Sequence, residues 1–253
     1  MVSKPTVFVP LYVYPAPGAW SPLIKIIHEY RDVEFTVVVN PGSGPGPDVL
    51  PDSNYLREIP TLTVEPNVHV LGYVATNYAN RPFETVQAEV ARYADWPSVG
   101  SNPALALDGI FFDETPQAYN PSAAKFLEEL SILVKCQQGF GPSNIVVHNP
   151  GTVPEPPYLT LADGNVVFEG PYDLFCARWN ADIFAGIPPE SRSKLCCIIH
   201  SVPRDVSGDT LKSLVSDVRS IADEVFITHL SQDYYASFGS GWSEFVNLMA
   251  SSS

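Results

Sequence analysis

Three carboxylates in this chain follow apolar runs. Asp113 and Glu114 close "DGIFFDE" and Glu169 ends "NVVFE", each after β-branched or aromatic residues that offer little solvent to hold a charge. Glycosidic cleavage is the chemistry that calls for such acids: one carboxylic acid protonates the departing oxygen while a carboxylate attacks the anomeric carbon or activates water. Each acid also has a plainer reading. Asp113 and Glu114 fit a helix cap or a solvated loop, and Glu169 fits an ion pair with Arg178 or another cation. Acids at two strand ends of one barrel mouth favour the catalytic reading.

Other polar and aromatic groups stand at comparable positions. Tyr12, Tyr14, Asn40, Tyr73, Tyr78, His148, Asn149, His200 and His229 end or follow apolar runs, and with Trp179 they are the expected substrate-binding residues. Flat faces for sugar rings are on offer from Tyr14, Trp20, Tyr78, Trp179, Tyr234, Tyr235 and Trp242. A lone histidine such as His200 or His229 fits a satisfied structural role equally well.

Positioning these groups requires a repeating scaffold, and the sequence supplies one. Short β-branched or aromatic runs recur at Thr6 to Tyr14, Phe35 to Asn40, Val68 to Thr76, Asp108 to Glu114, Asn144 to Asn149, Asn165 to Gly170, Leu195 to Ser201 and Glu224 to Leu230. Helical signals lie between them. Ser21-Pro22 and Asn120-Pro121 each read as an N-cap followed by proline at the first helical position. From Asp209 to Ala222, Leu211, Leu214, Val215, Val218 and Ile221 share one face at the 3.6-residue period. Near-continuous apolar strands alternating with amphipathic helices predict a parallel sheet covered by helices. Eight such units predict a single α/β domain over residues 1–253, a (β/α)8 TIM barrel, with an open doubly wound sheet as the alternative. Two crossovers are weak. "PGSGPGPDVLP" forbids regular structure between Asn40 and a short helix near Asn54 to Ile59, and "PGTVPEPPY" after Asn149 leaves room for a short helical turn only.

Composition narrows the class further. A net charge of -14 repels phosphate backbones, so nucleic acid is not an expected partner, whereas a cationic polymer would be attracted. No apolar run is long enough to cross a bilayer, and Met1-Val2-Ser3-Lys4-Pro5 reads as no signal peptide, so a cytoplasmic protein or a trimmed secreted one is expected. Cys136, Cys176, Cys196 and Cys197 are too sparse for a disulfide scaffold and lack zinc spacing. Neither a dinucleotide fingerprint nor a nucleophile elbow occurs, and no metal or cofactor is expected. A monomer acting on a polysaccharide or oligosaccharide is the resulting expectation.

Four motifs taken together, "FVPLYVYPAPGAW", "GIFFDE", "HNPG" and "VFEGPY", resemble the spherulin-4 family of fungal and bacterial proteins, classed as glycoside hydrolase family 135. The resemblance runs from Thr6 nearly to the C-terminus with the motifs in order. It implies a (β/α)8 barrel and an endo-acting hydrolase of α-1,4-linked galactosamine or N-acetylgalactosamine in galactosaminogalactan. It also implies that Asp113, Glu114 and Glu169 are the essential acids, the same three that the strand ends single out. Deacetylated galactosamine is cationic, which suits the acidic chain.

The expected mechanism has Asp113 as nucleophile, Glu169 as general acid/base and Glu114 orienting substrate or tuning its neighbours. Retention follows if the reacting carboxyl groups sit about 5 to 5.5 Å apart, and inversion at about 6.5 to 9.5 Å. Adjacent strand residues point to opposite sides, so Asp113 and Glu114 share a target only if the chain turns at once, and their roles are exchangeable at this stage. Two other readings stand beside this one: attack by the substrate's own N-acetyl group, and a barrel that binds glycan or serves a structural role without turnover.

Overall fold

The computed structural model describes residues 5–251. Met1, Val2, Ser3 and Lys4, which carry the expectation about a leader, lie outside the described residues, as do Ser252 and Ser253. The eight strands are β1 (Thr6–Leu11), β2 (Glu34–Val39), β3 (Val68–Ala75), β4 (Gly109–Asp113), β5 (Ile145–His148), β6 (Gly164–Pro171), β7 (Leu195–His200) and β8 (Glu224–Ile227). They pair in parallel in sequence order, and β8 pairs back to β1, which closes the barrel. An open sheet is thereby excluded.

Among the described residues seven α-helices cover the strands: α1 (Ser21–Glu29), α2 (Ser53–Thr63), α3 (Phe83–Val99), α4 (Pro121–Cys136), α5 (Tyr172–Asn180), α6 (Asp209–Ile221) and α7 (Trp242–Ser251). The β5–β6 crossover holds only a 3-10 turn over Pro156–Thr160, as its prolines predict. Asn120 caps α4 by accepting from the N–H groups of Ser122 and Ala123, and Pro121 follows it. At α1 the expectation needs correcting. Its cap position is Trp20 rather than Ser21, and no side chain caps it. Asp52 caps α2 by accepting from Asn54 and Tyr55, and the helix runs four residues past Ile59, through Pro60.

Rings from several strands meet inside the barrel. Phe8 of β1 packs on Phe111 of β4 with ring centroids 5.6 Å apart, and Tyr73 of β3 lies 6.3 Å from Phe111. Side chains alternate along a strand, so Asp113, two residues beyond Phe111, faces the same interior one layer higher. The acid therefore stands on a packed apolar floor. Two strands end sooner than the apolar runs suggest. Past Leu11 the Tyr12 N–H donates to the Tyr235 carbonyl at 3.0 Å instead of continuing the ladder, and β8 ends at Ile227.

A second buried acid lies at the opposite end. Glu224 opens β8 beside Thr36 and His69, and its Oε2 has no hydrogen-bond partner. Burial pushes this carboxyl up to about 7. The folded chain thus holds a proton here that the unfolded chain releases near the ordinary carboxylate value, so this contribution to stability falls as pH rises from about 4.5 to about 7. Glu224→Gln is expected to match wild type in melting temperature at pH 5 and to melt higher at pH 8, as read by circular dichroism. Equal melting at both pH values would contradict this assignment.

Candidate active site

Asp113 ends β4 and Glu114 turns the chain. Glu114 has a left-handed backbone, φ 54°, a conformation that costs a non-glycine residue about 1 to 3 kcal/mol. The loop after β3 holds it there. The Thr76 hydroxyl donates to the carbonyls of Asp113 (3.1 Å) and Glu114 (2.8 Å), and the Tyr78 N–H donates to the Glu114 carbonyl at 2.6 Å. Because the chain turns at once, the two acids part company: Asp113 faces inward among partners, while Glu114 is exposed and its carboxylate forms none of the bonds that join the inner pair.

Asn149 follows β5 and ties three strands together. Its N–H donates to the Phe112 carbonyl at 2.8 Å and its carbonyl accepts from Thr115 at 3.0 Å, which fixes it to the end of β4. Its side-chain Nδ2 donates to Asp113 Oδ1 at 2.8 Å and to Glu169 Oε2 at 2.5 Å. Laid end to end these two bonds span 5.3 Å, so the two carboxylate oxygens are no farther apart than that. The amide cannot be reversed. Its Oδ1 accepts the Gly151 N–H at 2.9 Å, and a flip would set a carbonyl oxygen against both carboxylates. Gly151, at φ 66°, turns the chain so that its carbonyl accepts the Glu169 N–H at 3.1 Å.

Tyrosines complete the shell. The Tyr73 hydroxyl donates to Asp113 Oδ2 at 2.8 Å, and the Tyr235 hydroxyl donates to Glu169 Oε1 at 2.7 Å. Asp113 also accepts the Glu114 N–H at 2.8 Å. Tyr12 lies edge-on to both tyrosine rings, at 5.8 Å from Tyr73 and 5.5 Å from Tyr235. No protein group among the described residues hydrogen-bonds its hydroxyl. Burial pushes Asp113 above the usual carboxylate range, against the lowering effect of its three donors. Glu169 is pushed up by burial and further by the charge of Asp113, with only Tyr235 and Asn149 to offset it. Tyr12, Tyr73 and Tyr235 are all raised, first by burial and then by these acids, so they stay protonated as donors.

Of the residues expected to bind substrate, Tyr12, Tyr73 and Asn149 converge on the acids. His200 joins at one remove: its ring stacks on Tyr234 at 4.0 Å and 3°, and Tyr234 meets Tyr235 edge-on at 4.5 Å. The others serve elsewhere. Tyr14 donates to Asp52 and accepts from Asn54, joining the β1 loop to α2 with an exposed ring on the rim. Asn40 accepts the Gly44 N–H and staples the glycine-rich loop. Tyr78 is exposed beyond the Glu114 turn. His229 bonds the Val202 carbonyl, and its ring lies against Gly241 at the start of α7.

Two of these expectations need correction on grounds of direction. His148 is wholly buried against Ser131 of α4, because it alternates with Asn149 and faces the helix layer; burial lowers it to about 4. Trp179 stacks on Phe175 near the end of α5, on the flank away from the strand ends. Two offered sugar platforms are also core residues: Trp20 is fully buried with Nε1 donating to the Val13 carbonyl, and Trp242 is buried against Phe238 and Phe245. Arg178 donates to Thr152 and lies over the Phe168 ring, so it is not the cation that would explain Glu169. The bridging by Asn149 and the bond from Tyr235 to Glu169 were not legible beforehand. Among the described residues no group of three or more His, Cys, Asp or Glu is arranged to hold a metal.

Residues 6–249 match the Spherulation-specific family 4. Spherulin-4 of Physarum polycephalum is 33% identical over 162 residues, 64% of this chain and 43% of that protein, so the matched stretch spans less than half the length of that relative. Among solved structures, Aspergillus clavatus Sph3 in complex with GalNAc is 56% identical, with 98% of each chain covered and a TM-score of 0.95. A broad-specificity GH5-4 endoglucanase from an uncultured bacterium shares the barrel fold at 10% identity and a TM-score of 0.50, covering 94% of this chain and 85% of its own. The order of motifs, the closed barrel and the match over nearly its whole length agree: this chain belongs to the spherulin-4 family.

Proposed function

We propose that this chain is an endo-acting glycoside hydrolase that cleaves α-1,4-linked galactosamine or N-acetylgalactosamine regions of a galactosaminogalactan-type polysaccharide. The observation that carries the reading is a single amide, at the end of β5, shared by two partly buried carboxylates on the flanking strands β4 and β6. Facing oxygens at most 5.3 Å apart, with one amide filling the space between them, favour the close carboxyl pair of double displacement over the wider pair, about 6.5 to 9.5 Å between groups, that admits a water for inversion. The linkage and the endo mode are what the resemblance to the spherulin-4 family implies, and they are part of this proposal. Sph3 was solved with GalNAc, which favours that sugar class here at 56% identity.

The donors divide the roles. Asp113 accepts three hydrogen bonds, from Tyr73, Asn149 and the Glu114 N–H, which favour its ionised form as nucleophile. Glu169 accepts two and feels the charge of Asp113, so it retains its proton to higher pH and acts as the acid. In the first step an Asp113 oxygen bonds to the anomeric carbon while the Glu169 proton passes to the leaving oxygen. In the second, Glu169 takes a proton from water, whose oxygen displaces Asp113. Tyr12 carries the hydroxyl left unclaimed by protein and is the donor for the bound sugar. Glu114, exposed at the rim, contacts substrate beyond the cleaved bond or attracts cationic galactosamine.

Three outcomes follow. Reducing-end release from galactosamine and N-acetylgalactosamine oligomers is expected for wild type and is expected to fall by about 10²- to 10⁴-fold in folded Asp113→Asn and Glu169→Gln; an inactive wild type that still binds oligomers would leave a glycan-binding role instead. Tyr12→Phe is expected to lower kcat/KM by about 3- to 10-fold, the worth of one neutral hydrogen bond, without change in fold. Because both acids are raised, the acidic limb of the kcat/KM profile should lie above the ordinary carboxylate value: activity grows as pH rises through the Asp113 ionisation and is lost as it rises through that of Glu169. Full activity at pH 3 would contradict that assignment.

A further inference from the structure

We infer that Asn149 is a positioning residue, a wedge whose amide keeps Asp113 and Glu169 from collapsing into a pair that shares one proton directly. Two carboxyl groups buried side by side ordinarily meet that fate, since like charges in a dry site cannot both ionise and one proton between two oxygens relieves them. Such a pair suits activation of a water, but it holds its proton against a leaving group. The inference rests on the hydrolytic reading of this pair.

The wedge works through the chemistry of an amide nitrogen. Asn149 Nδ2 carries two hydrogens and no lone pair for a proton. It spends one hydrogen on Asp113 Oδ1 at 2.8 Å and the other on Glu169 Oε2 at 2.5 Å, so each facing oxygen is satisfied and neither can hand a proton across. With the two hydrogens about 120° apart, the facing oxygens stand about 4.6 Å from each other, well beyond the 2.5 to 2.7 Å of a shared O–H···O⁻ bond. The Glu169 proton is then directed away from Asp113. Oε1 faces the Tyr235 hydroxyl, which can donate or accept and so tolerates either form of the acid.

The wedge is itself held from three sides. Phe112 and Thr115 fix its backbone to the end of β4, the Gly151 N–H fixes its amide oxygen, and the Gly151 carbonyl fixes the Glu169 backbone. Tyr73 touches only Asp113 and Tyr235 touches only Glu169. Among the described residues Asn149 is the side chain that hydrogen-bonds both, which gives it a distinct signature.

The test compares wild type with Asn149→Ala, Asn149→Ser and Tyr235→Phe, each checked for unchanged melting. In Asn149→Ala the two limbs of the kcat/KM profile should move apart, the upper one rising by about one unit, because a proton shared directly stabilises the singly ionised pair. Its kcat should fall on the order of 100-fold while KM stays within about threefold. Asn149→Ser, whose one hydroxyl hydrogen reaches at most one acid, should lie between, and Tyr235→Phe should move chiefly the limb that Glu169 dominates. A readout without turnover uses protein labelled with carbon-13 at the Asp and Glu carboxyls: the two coupled titrations should lie farther apart in Asn149→Ala than in wild type. A folded Asn149→Ala whose limbs and carboxyl titrations are unmoved, or rise in parallel without separating, would overturn the inference while leaving the hydrolase intact. Carboxyl titrations that separate in a protein that cleaves no oligomer would support the wedge and defeat the hydrolytic reading alone.

Discussion

One amide group sets the terms for everything around it. Asn149 Nδ2 can reach Asp113 and Glu169 together only if the ends of β4, β5 and β6 arrive within a few ångströms of each other. Barrel closure brings them there, and the Asn-Pro-Gly turn after β5 gives the last adjustment by lending its Gly151 carbonyl to the backbone of Glu169. Strand order, turn and acid pair are thus parts of one constraint.

Burying two acids is costly, and the structure offsets that cost with donors rather than cations. Five hydrogen bonds reach the pair, from two tyrosine hydroxyls, one backbone N–H and both hydrogens of the amide. A guanidinium in their place would hold both carboxylates ionised and remove the acid. Neutral donors leave the two groups unequal instead, with Asp113 the better solvated by protein. The Phe8 and Phe111 layer beneath closes the interior from below, so the pair meets solvent and substrate only from the mouth. Strain enters on both sides of one contact: Glu114 takes a left-handed backbone so that its neighbour can face inward, and the loop that holds that turn through Thr76 and Tyr78 is itself left-handed at Asn77, Tyr78 and Ala79.

Much of this was legible in the residues. The eight strands read clearly because runs such as "FTVVVN" and "LCCIIHS" are apolar on both faces, as a helix-covered parallel sheet requires. The acids stood out because nothing near them in sequence excused a charge. What stayed hidden depends on direction and on distance along the chain. His148 and Asn149 are adjacent at a strand end, yet alternation sends one into the helix layer and the other into the mouth. Tyr235 lies 66 residues from the Glu169 it bonds, in a loop that carries no regular pattern. α3 and α5 begin after prolines with no side-chain cap, so the local signals that marked α4 were absent. Trp179 and Trp20 are aromatic in the right numbers and in the wrong places, because composition says nothing about which end of a helix faces the mouth.

The central claim is that two acids held this close act by double displacement. Proton NMR of the first hemiacetal released from an α-1,4-linked N-acetylgalactosamine oligomer, recorded before mutarotation, tests it most directly. The account expects the α-anomer to appear first and the β-anomer to grow in later. Initial release of the β-anomer would mean a single displacement by water, and would contradict the reading of Asp113 as nucleophile.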